Sequence, residues 1–379
     1  MAIIKTKYGY CYSSNTRFED YEDFEDCGMM IEDSKRLKNL YPYVYSTDNL
    51  IKSQHDAQKG KKQKGGLKRF NDNINANLQS LYNSLVDQTY QTGGYRVKII
   101  SEPKEREIMI APFYPDRIVH HCVINVMKDF WVKAFIDNTY ACIKGRGIHK
   151  CVDDVHKALT NDFRGTRYCL KLDIKKFYDN IDHAALKKII RYRIADEQFL
   201  QLLEIIIDSN GLDKGLPIGN YTSQHLANLY LAYFDHWMKE ELGVKYYFRY
   251  MDDIVILHHD KETLHYYLDM MGLYLGAELK LEIKGDWQIF RVDERGIDFV
   301  GFKQNHFHIL LRKSILKKFY RKYVKVVKKN NIRDLDTFKN LFPSEYGWII
   351  KCSEPHSSYI LNKCINNEER KQPILRTAV

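Results

Sequence analysis

Three aspartates in two distant parts of the chain have the type and placement of a metal site. Asp173 follows a strand-like run, and Asp252 and Asp253 lie side by side between two further strand-like runs. Mg²⁺ prefers carboxylate oxygens, and strand-borne carboxylates brought side by side can hold two metal ions ~3.5–4 Å apart. Such a pair supports phosphoryl or nucleotidyl transfer, because it activates a hydroxyl and neutralises the leaving pyrophosphate. An Asp–Asp pair on its own is more often a solvated turn, so the surrounding residues must distinguish a metal site from a turn.

The elements that carry these aspartates are predicted from local patterns. YCLKLDI at 168–174 alternates between two faces, which predicts a strand that ends near Asp173. KYYFRY and IVIL flank Asp252 and Asp253, which predicts a β-hairpin with the acids at its tip. Residues 223–238 carry large apolar side chains at three-to-four spacing behind a Gly–Asn turn, which predicts an amphipathic helix.

Two further elements are predicted towards the C-terminus. A second hairpin is expected through ERG at 294–296 into FVGF at 299–302. Residues 312–329 contain nine Lys or Arg and no acid. An apolar stripe of helical spacing runs through the same segment: Ile315, Phe319, Tyr323 and Val326. This pattern predicts a helix with one packed face and one strongly cationic face.

Composition limits the possible classes of protein. The chain has 379 residues, 44% hydrophobic and 13% aromatic, which excludes wholesale disorder and a single small binding module. The formal charge is +10, and residues 1–34 hold three basic and eight acidic side chains, so the remainder carries +15. This excess favours a polyanionic partner. With no long apolar run or signal-like start, we expect a cytoplasmic protein without a membrane partner, whose eight cysteines stay reduced.

Several motifs around the aspartates resemble those of reverse transcriptases. YMDD at 250–253 resembles the family signature, and KLDIKKFYDNIDH at 171–183 the first carboxylate motif. Four more segments stand in family order: EPKEREIMIAPFYPDRIVHH at 102–121, CIKGRGIH at 142–149, GLPIGNYTSQ at 215–224 and FVGF at 299–302. The resemblance implies an α+β right-hand polymerase with fingers, an antiparallel ferredoxin/RRM-like palm sheet and a helical thumb. It also implies RNA-directed DNA synthesis from dNTPs, an RNA template, a primer, a cDNA product and two Mg²⁺ ions, with Mn²⁺ as a substitute.

The same resemblance divides the chain into domains. It implies fingers at 40–165, a palm at 166–183 and 216–302, and a fingers insertion at 184–215. A basic helical thumb and C-terminal tail follow at 303–379. The first 39 residues form an acidic and aromatic N-terminal arm, to which we assign no chemistry.

Roles of the metal and nucleotide residues follow from the resemblance, position by position. Asp173 and Asp252 would bind both metal ions, supported by Asp253 and the carbonyl of Ile174. Further residues would bind the incoming dNTP: Lys104, Arg106, Tyr178, Ile218 and Gly219. Arg suits triphosphate oxygens through its fork of donors, although a surface salt bridge is the alternative for this pair of cations. Tyr178 would block a ribose 2′-hydroxyl, and its alternative is an ordinary core tyrosine.

Other residues receive roles by looser alignment. Lys284 in LEIKGD is a candidate general acid for the leaving pyrophosphate. The expected contacts to template or primer are Arg146, Gly301, Lys317, Lys318, Lys322 and Lys325. Arg146 has helix capping as its alternative role.

One motif departs from the common pattern. Many reverse transcriptases have Gln before this Gly and end the motif in Ser–Pro, whereas this chain has Ile218 and ends in Ser223–Gln224. This form resembles the enzymes of diversity-generating retroelements, which copy a template-repeat RNA with errors concentrated at adenines. We therefore expect Ile218 and Gln224 to influence fidelity, because Ile makes only apolar contact where Gln would hydrogen-bond. The alternative is neutral drift within an ordinary bacterial enzyme.

The resemblance also implies a partner and an origin. A small basic accessory protein oligomer is expected, and the acidic segment 19–33 is a candidate docking surface for it. The chain would be encoded by a bacterium or phage. Two competing interpretations remain: a defence-associated or uncharacterised bacterial reverse transcriptase of ordinary fidelity, and a non-catalytic RNA-binding protein with a polymerase fold. The intact carboxylates argue against the second.

Overall fold

The computed structural model describes residues 3–6, 9–12, 36–61, 65–100, 106–327 and 334–365. By internal contacts the chain forms two compact units, each built from several stretches of sequence. The first unit comprises residues 1–142, 173–245 and 267–285, and the second 143–172, 246–266 and 286–379. Helices and strands occur in both. In the described part of the chain, no helix is long and apolar enough to cross a bilayer.

The first unit is mainly helical. Its helices before residue 142 are α1 (Tyr41–Val44), α2 (Thr47–Gln58), α3 (Gly66–Asp72), α4 (Ile74–Val86) and α5 (Ile118–Ala134). Two antiparallel pairs of strands accompany them: β1 (Ile3–Thr6) with β2 (Gly9–Tyr12), and β3 (Arg96–Ile100) with β4 (Arg106–Ile110). Helix α5 lies at the centre of this unit, because it buries one apolar residue after another, including Val119, Val123 and Met127.

The rest of the first unit also consists of helices. They are α7 (Phe177–Asn180), α8 (His183–Arg193), α9 (Glu197–Ile207), α10 (Tyr221–Tyr230), α11 (Ala232–His236) and most of α12 (Lys261–Leu279). Aspartates begin two of them. Asp182 accepts the N–H of Ala185 at 2.9 Å, and Asp196 accepts that of Phe199 at 3.0 Å. Such caps satisfy N–H groups that have no partner inside the helix.

The second unit contains the main sheet. Its strands are β5 (Tyr168–Asp173), β6 (Tyr246–Tyr250), β7 (Asp253–His258) and β8 (Gln288–Arg291), in the order β6-β7-β5-β8. Strand β6 pairs antiparallel with β7, and β5 pairs antiparallel with β8. Helix α6 (Ile148–Asn161) belongs to the same unit. The four central residues of β7 are buried, so this strand lies inside the unit.

The described part of the second unit also contains a smaller sheet and further helices. After the short helix α13 (Val292–Arg295) come β9 (Ile297–Phe299), β10 (Phe302–Gln304) and β11 (Ile309–Leu311), ordered β11-β10-β9. The helices that follow are α14 (Lys313–Val327), α15 (Leu335–Leu341), α16 (Pro343–Ile349) and α17 (Glu354–Ile365). Their apolar core includes Phe319, Phe338, Phe342 and Ile360.

Most local predictions are confirmed, and one is wrong. Strand β5, the β6–β7 hairpin and helix α14 form where the patterns predict them. The helix predicted at 223–238 is interrupted after Tyr230 and continues as α11 and a π-helical turn, Trp237–Glu241. The hairpin through 294–296 does not form, because those residues end α13 and β8 pairs with β5 instead. The hairpin turn lies between β9 and β10, at Val300 and Gly301.

Candidate active site

The YMDD segment forms a tight turn at the end of the β6–β7 hairpin. Tyr250 pairs with Asp253, so Met251 and Asp252 are the two turn residues. Met251 has a φ of 56°, a left-handed conformation that costs an L-residue roughly 1–2 kcal/mol. The guanidinium of Arg249, which is fully buried, donates from Nη1 to the carbonyl oxygen of Met251 at 2.9 Å. A charged donor to the backbone therefore stabilises a strained turn that presents Asp252.

Two buried thiols lie close enough to Asp253 to feel its charge. Burial raises the pKa of Cys169 on β5, and the Asp253 carboxylate acts in the same direction. Burial likewise raises the pKa of Cys151 on α6, with smaller contributions from Asp154 and Asp253. Both cysteines therefore stay neutral behind the turn, where a thiolate would repel the carboxylates.

Asp173 is the last residue of β5, and the chain that follows it is paired with residues 282–284. The N–H of Lys284 donates to the carbonyl of Asp173 at 2.9 Å, and the N–H of Lys175 donates to the carbonyl of Glu282 at 2.8 Å. Ile174 bridges Ile283 between these two bonds. Because the bonds on either side use the neighbouring residues, the carbonyl of Ile174 takes no part in this bridge.

The predicted sugar gate and the GLPIGNYTSQ loop are joined through their backbones. Tyr178, on α7, is half-buried, and its carbonyl accepts the N–H of Leu216 at 2.8 Å. Ile218 is half-buried, and its carbonyl accepts the N–H of Met109 on β4 at 3.0 Å. Gly219 has a φ of 123°, and a Cβ there would lie 2.8 Å from the carbonyl oxygen of Met109. Only glycine allows the loop to approach β4 this closely.

Side chains on either side of Ile218 give the loop further support. Asn220 is 2% exposed and donates to the Tyr95 hydroxyl at 2.6 Å. That hydroxyl lies 2.7 Å from the Ser209 hydroxyl. Gln224 lies on α10 and is exposed. The loop around Ile218 is therefore rigidly held, whereas the Gln224 side chain faces solvent.

Cations of the first unit lie on β4 and around a cavity near it. Arg106 begins β4 and is exposed, while Lys104 lies outside the described residues. A cavity of about 560 Å³ is lined by four cations: Lys61, Arg69, Arg96 and Arg117. Burial, and second the charge of Arg117, lowers the pKa of Lys61 to about 8. No carboxylate lines this cavity among the described residues, so it favours anions.

The residues expected to contact template or primer differ in exposure. Arg146 is partly buried and lies just before α6. Gly301 is buried, and a Cβ there would lie 2.5 Å from Trp348 and 2.8 Å from Ile315, so packing requires this glycine. The four lysines of α14 are exposed: Lys317, Lys318, Lys322 and Lys325. Lys322 is paired with Glu345.

The fit of these residues to a divalent metal rests on the chemistry of the donors. Within the described ranges, no group of three or more His, Cys, Asp or Glu side chains is arranged to hold a metal ion. The candidate ligands are two or three carboxylates and the Ile174 carbonyl, all oxygen donors. Oxygen-only donors suit Mg²⁺, which keeps several waters and substrate oxygens in its coordination shell. The residues present therefore fit the ion implied by the sequence.

Four residues of the site were missed by sequence reasoning. They are Arg249, Met109, Tyr95 and Asn220. An arginine inside the aromatic strand YYFRY was a usable signal, because an Arg is rarely buried without a specific partner. Nothing in the local sequence pointed to Met109, which acts through its backbone.

Comparisons with known proteins show which proteins the chain is similar to. The family profile described as "Reverse transcriptase (RNA-dependent DNA polymerase)" matches residues 104–303. Protein YkfC of Escherichia coli is 31% identical over 174 residues, which are 43% of this chain and 45% of YkfC. The group II intron-encoded protein LtrA of Lactococcus lactis is 25% identical over 212 residues, 52% of this chain and 35% of LtrA. The chain thus covers less than half of either relative.

A solved structure and the family profile complete the comparison. The structure of telomerase from Candida albicans in complex with a fragment of telomeric RNA aligns with a TM-score of 0.46 and 13% identity, covering 65% of this chain and 55% of that one. The family profile covers more than half of the 379 residues and includes the first carboxylate motif, the Ile218 loop and the YMDD turn. The chain belongs to the reverse transcriptase family.

Proposed function

We propose that this protein is an RNA-directed DNA polymerase that copies an RNA template into cDNA from dNTPs. The observation that carries the proposal is the YMDD turn, which Arg249 holds at the start of β7. Strand β7 lies next to β5, the strand that ends at Asp173. The family match and the excess of positive charge support the same activity. The fingers, palm and thumb boundaries given above are part of this proposal.

Each site residue has a role in the proposed reaction. Asp173 and Asp252 would hold the two Mg²⁺ ions with help from Asp253 and the Ile174 carbonyl. When bound, these ions supply charge that favours attack by the primer hydroxyl and departure of pyrophosphate. Lys284, whose backbone is bonded to Asp173, would give a proton to the leaving pyrophosphate.

Other residues would hold and select the nucleotide. Lys104 and Arg106 would hold the triphosphate through charge-assisted hydrogen bonds. Tyr178 would exclude the ribose 2′-hydroxyl by filling its space, and its backbone bond to Leu216 supports a fixed position for it. Gly219 would allow the loop to lie close against β4, with Ile218 next to the nucleotide.

The test of the polymerase proposal is the substitution Asp252→Asn. We expect Mg²⁺-dependent primer extension on an RNA template to fall by at least about 10³-fold, because a metal-ligand charge is lost without a change in side-chain size. RNA binding should remain. Asp269→Asn, at an exposed position of α12, is the matched control and should extend like wild type. Substantial Mg²⁺-dependent extension by the Asp252 variant would overturn the assignment.

We further propose that the polymerase is error-prone at template adenines and serves a diversity-generating retroelement, with a small basic accessory protein as partner. The support is the apolar Ile218 at a position where the common reverse transcriptase pattern described above has Gln. The loop that holds it is bonded to Met109, Tyr95 and Tyr178, which would hold the Ile218 side chain in a fixed place for contact with the nucleotide. Loss of one hydrogen bond corresponds to ~1–3 kcal/mol of discrimination, or about 10–100-fold in error.

The test of this finer proposal is Ile218→Gln. Primer extension on an RNA template that contains all four bases is followed by sequencing of the cDNA, with the accessory protein added if activity requires it. Wild type should misinsert chiefly opposite adenine, and the variant should do so about 10-fold less often. Low and base-independent error in wild type would indicate the alternative, a bacterial reverse transcriptase of ordinary fidelity. Adenine-biased error unchanged in the variant would remove only the role of Ile218.

A further inference from the structure

A second cavity lies in the second unit, at the end of the main sheet away from the YMDD turn. Its volume is about 600 Å³, within the roughly 300–1,000 Å³ of ligand pockets. The aromatic and basic residues that line it are Phe163, Arg164, Arg167, His259, Arg291 and His306, and we call this site the aromatic–arginine pocket. His259 in this pocket directly follows the last residue of β7, and Asp253 of the YMDD turn is the first residue of that strand. At ~3.3 Å per residue, the length of β7 alone separates the two by about 17 Å.

Phe163 of this pocket belongs to a cluster of tilted aromatic rings, in which Phe307 lies beside the lining residues. Phe163 is 51% exposed and Phe307 is 61% exposed, with their ring centroids 5.8 Å apart. The His306 ring lies 4.1 Å from that of Phe163. His306 is buried and bonded through one ring nitrogen to Asp293 at 2.7 Å and through the other to Thr166 at 2.9 Å. Because both of its ring nitrogens are bonded, the His306 ring is held in place against Phe163.

The charges around the pocket favour an anion. Both lining acids already have partners, because Asp293 bonds His306 and Glu294 pairs with Arg291 at 2.7 Å. Arg164 and Arg167 are exposed, and neither forms an ion pair with another described residue. Their guanidinium groups suit phosphate oxygens through forked hydrogen bonds. Exposed aromatic rings next to such groups are the combination that binds unpaired nucleotides, with bases on rings and phosphates on cations.

We propose that the aromatic–arginine pocket binds an unpaired nucleotide of single-stranded RNA. The base stacks on Phe163, with Phe307 beside it, and the adjoining phosphates contact Arg164 and Arg167. The site is separate from the proposed metal ligands, so it holds a part of the RNA that is not being copied. This inference rests on the proposed polymerase function. It gives the protein a second RNA-binding site, separate from the site that would hold the RNA–DNA duplex.

The test uses the full chain loaded with a blunt RNA–DNA duplex, to which a fluorescein-labelled hexaribonucleotide is added. The oligonucleotide should bind the loaded protein, and Phe163→Ala should weaken that binding by about 5–100-fold, the range for loss of one stacked base. Arg164→Gln with Arg167→Gln should flatten the plot of log affinity against log salt by ~0.7 per lost phosphate contact. Phe163→Tyr keeps a ring and should restore affinity.

Controls separate this site from catalysis and from folding. Phe130→Ala, at another exposed aromatic position, should bind the oligonucleotide like wild type. Asp252→Asn should also keep oligonucleotide binding although extension is lost, so failure of the polymerase proposal is distinguishable. If Phe163→Ala lowers thermal stability, Phe307→Ala takes its place. Unchanged affinity in the Phe variants, or full displacement of the oligonucleotide by the duplex, would overturn the proposal.

Discussion

At the scale of single residues, the least expected feature is the buried arginine that contacts the YMDD turn. Burying a guanidinium is costly unless its donors are satisfied. Arg249 meets that cost partly through its 2.9 Å bond to the carbonyl of Met251, the residue with positive φ. Because Met251 precedes Asp252 directly, Arg249 acts through the backbone on Asp252, the proposed metal ligand. Arg249 is therefore a positioning residue.

The substitution Arg249→Met tests this role. It keeps most of the side-chain volume and removes the donor. We expect kcat for primer extension to fall by about 10–100-fold, as for loss of a charged hydrogen bond, with the KM for dNTP nearly unchanged. The Mg²⁺ concentration for half-maximal activity should rise, because Asp252 is no longer held in place. Arg249→Lys should recover part of the activity. A folded Met variant with the Mg²⁺ dependence of wild type would contradict the role.

At the scale of elements, α14 shows how one helix serves two purposes. Phe319 and Tyr323 pack into the C-terminal core, while the lysines project from the other side. Lys322 differs from the others, because it pairs with Glu345 and lies 5.5 Å from the centre of the Phe342 ring. Its charge is already compensated within the protein. No ion pair to another described residue compensates Lys317, Lys318 or Lys325.

This difference within α14 leads to a matched comparison. Changing Lys317, Lys318 and Lys325 to Gln should lower affinity for nucleic acid and reduce the salt slope by ~0.9 for each phosphate contact to a duplex. Lys322→Gln removes one positive charge from the same helix and should leave the slope nearly unchanged. Binding measured at several salt concentrations decides the question. Equal slopes for wild type and the triple variant would show that the helix is only solvated.

At the scale of the whole molecule, buried histidines couple stability to pH. His225 on α10 packs against Tyr221 and Trp131, and burial lowers its pKa to about 4, with a smaller effect from Lys128. Burial also lowers the pKa of His120 on α5 to about 3. Both imidazoles must be neutral in the folded chain, so acid favours the unfolded state, in which they take up protons.

The expected pH dependence follows from the sign of these shifts. The folded pKa of His225 lies below its ordinary value of 6.5, so its contribution is complete above that pH and is lost as the pH falls towards 4. The loss is about 3 kcal/mol for this group alone. His225→Phe removes the titration and should flatten the fall in unfolding free energy between pH 6.5 and 4. Urea denaturation across this range measures it, and identical pH profiles for the two proteins would contradict the prediction.

Local patterns in the sequence were enough to predict the candidate catalytic motifs and their supporting elements. The alternation of side chains between two faces predicted β5. An aromatic run and an aliphatic run predicted the β6–β7 hairpin, and apolar residues at helical spacing predicted α14. These features depend on residues close together in the chain, where side-chain period and turn chemistry dominate. The resemblance to reverse transcriptases rests on the same short motifs, and the family profile match over residues 104–303 agrees with it.

Tertiary structure alone decided the contacts between distant segments. It paired β8 with β5 where local sequence favoured a hairpin with β9, and it bonded Ile218 to Met109. It also placed Arg249 behind the turn and neutralised Lys322 through Glu345. Strand partners, backbone bonds and ion pairs of this kind depend on which surfaces meet after the chain has folded. No local periodicity of the sequence encodes these contacts, because their free energy comes from burial and hydrogen bonds between residues far apart in sequence.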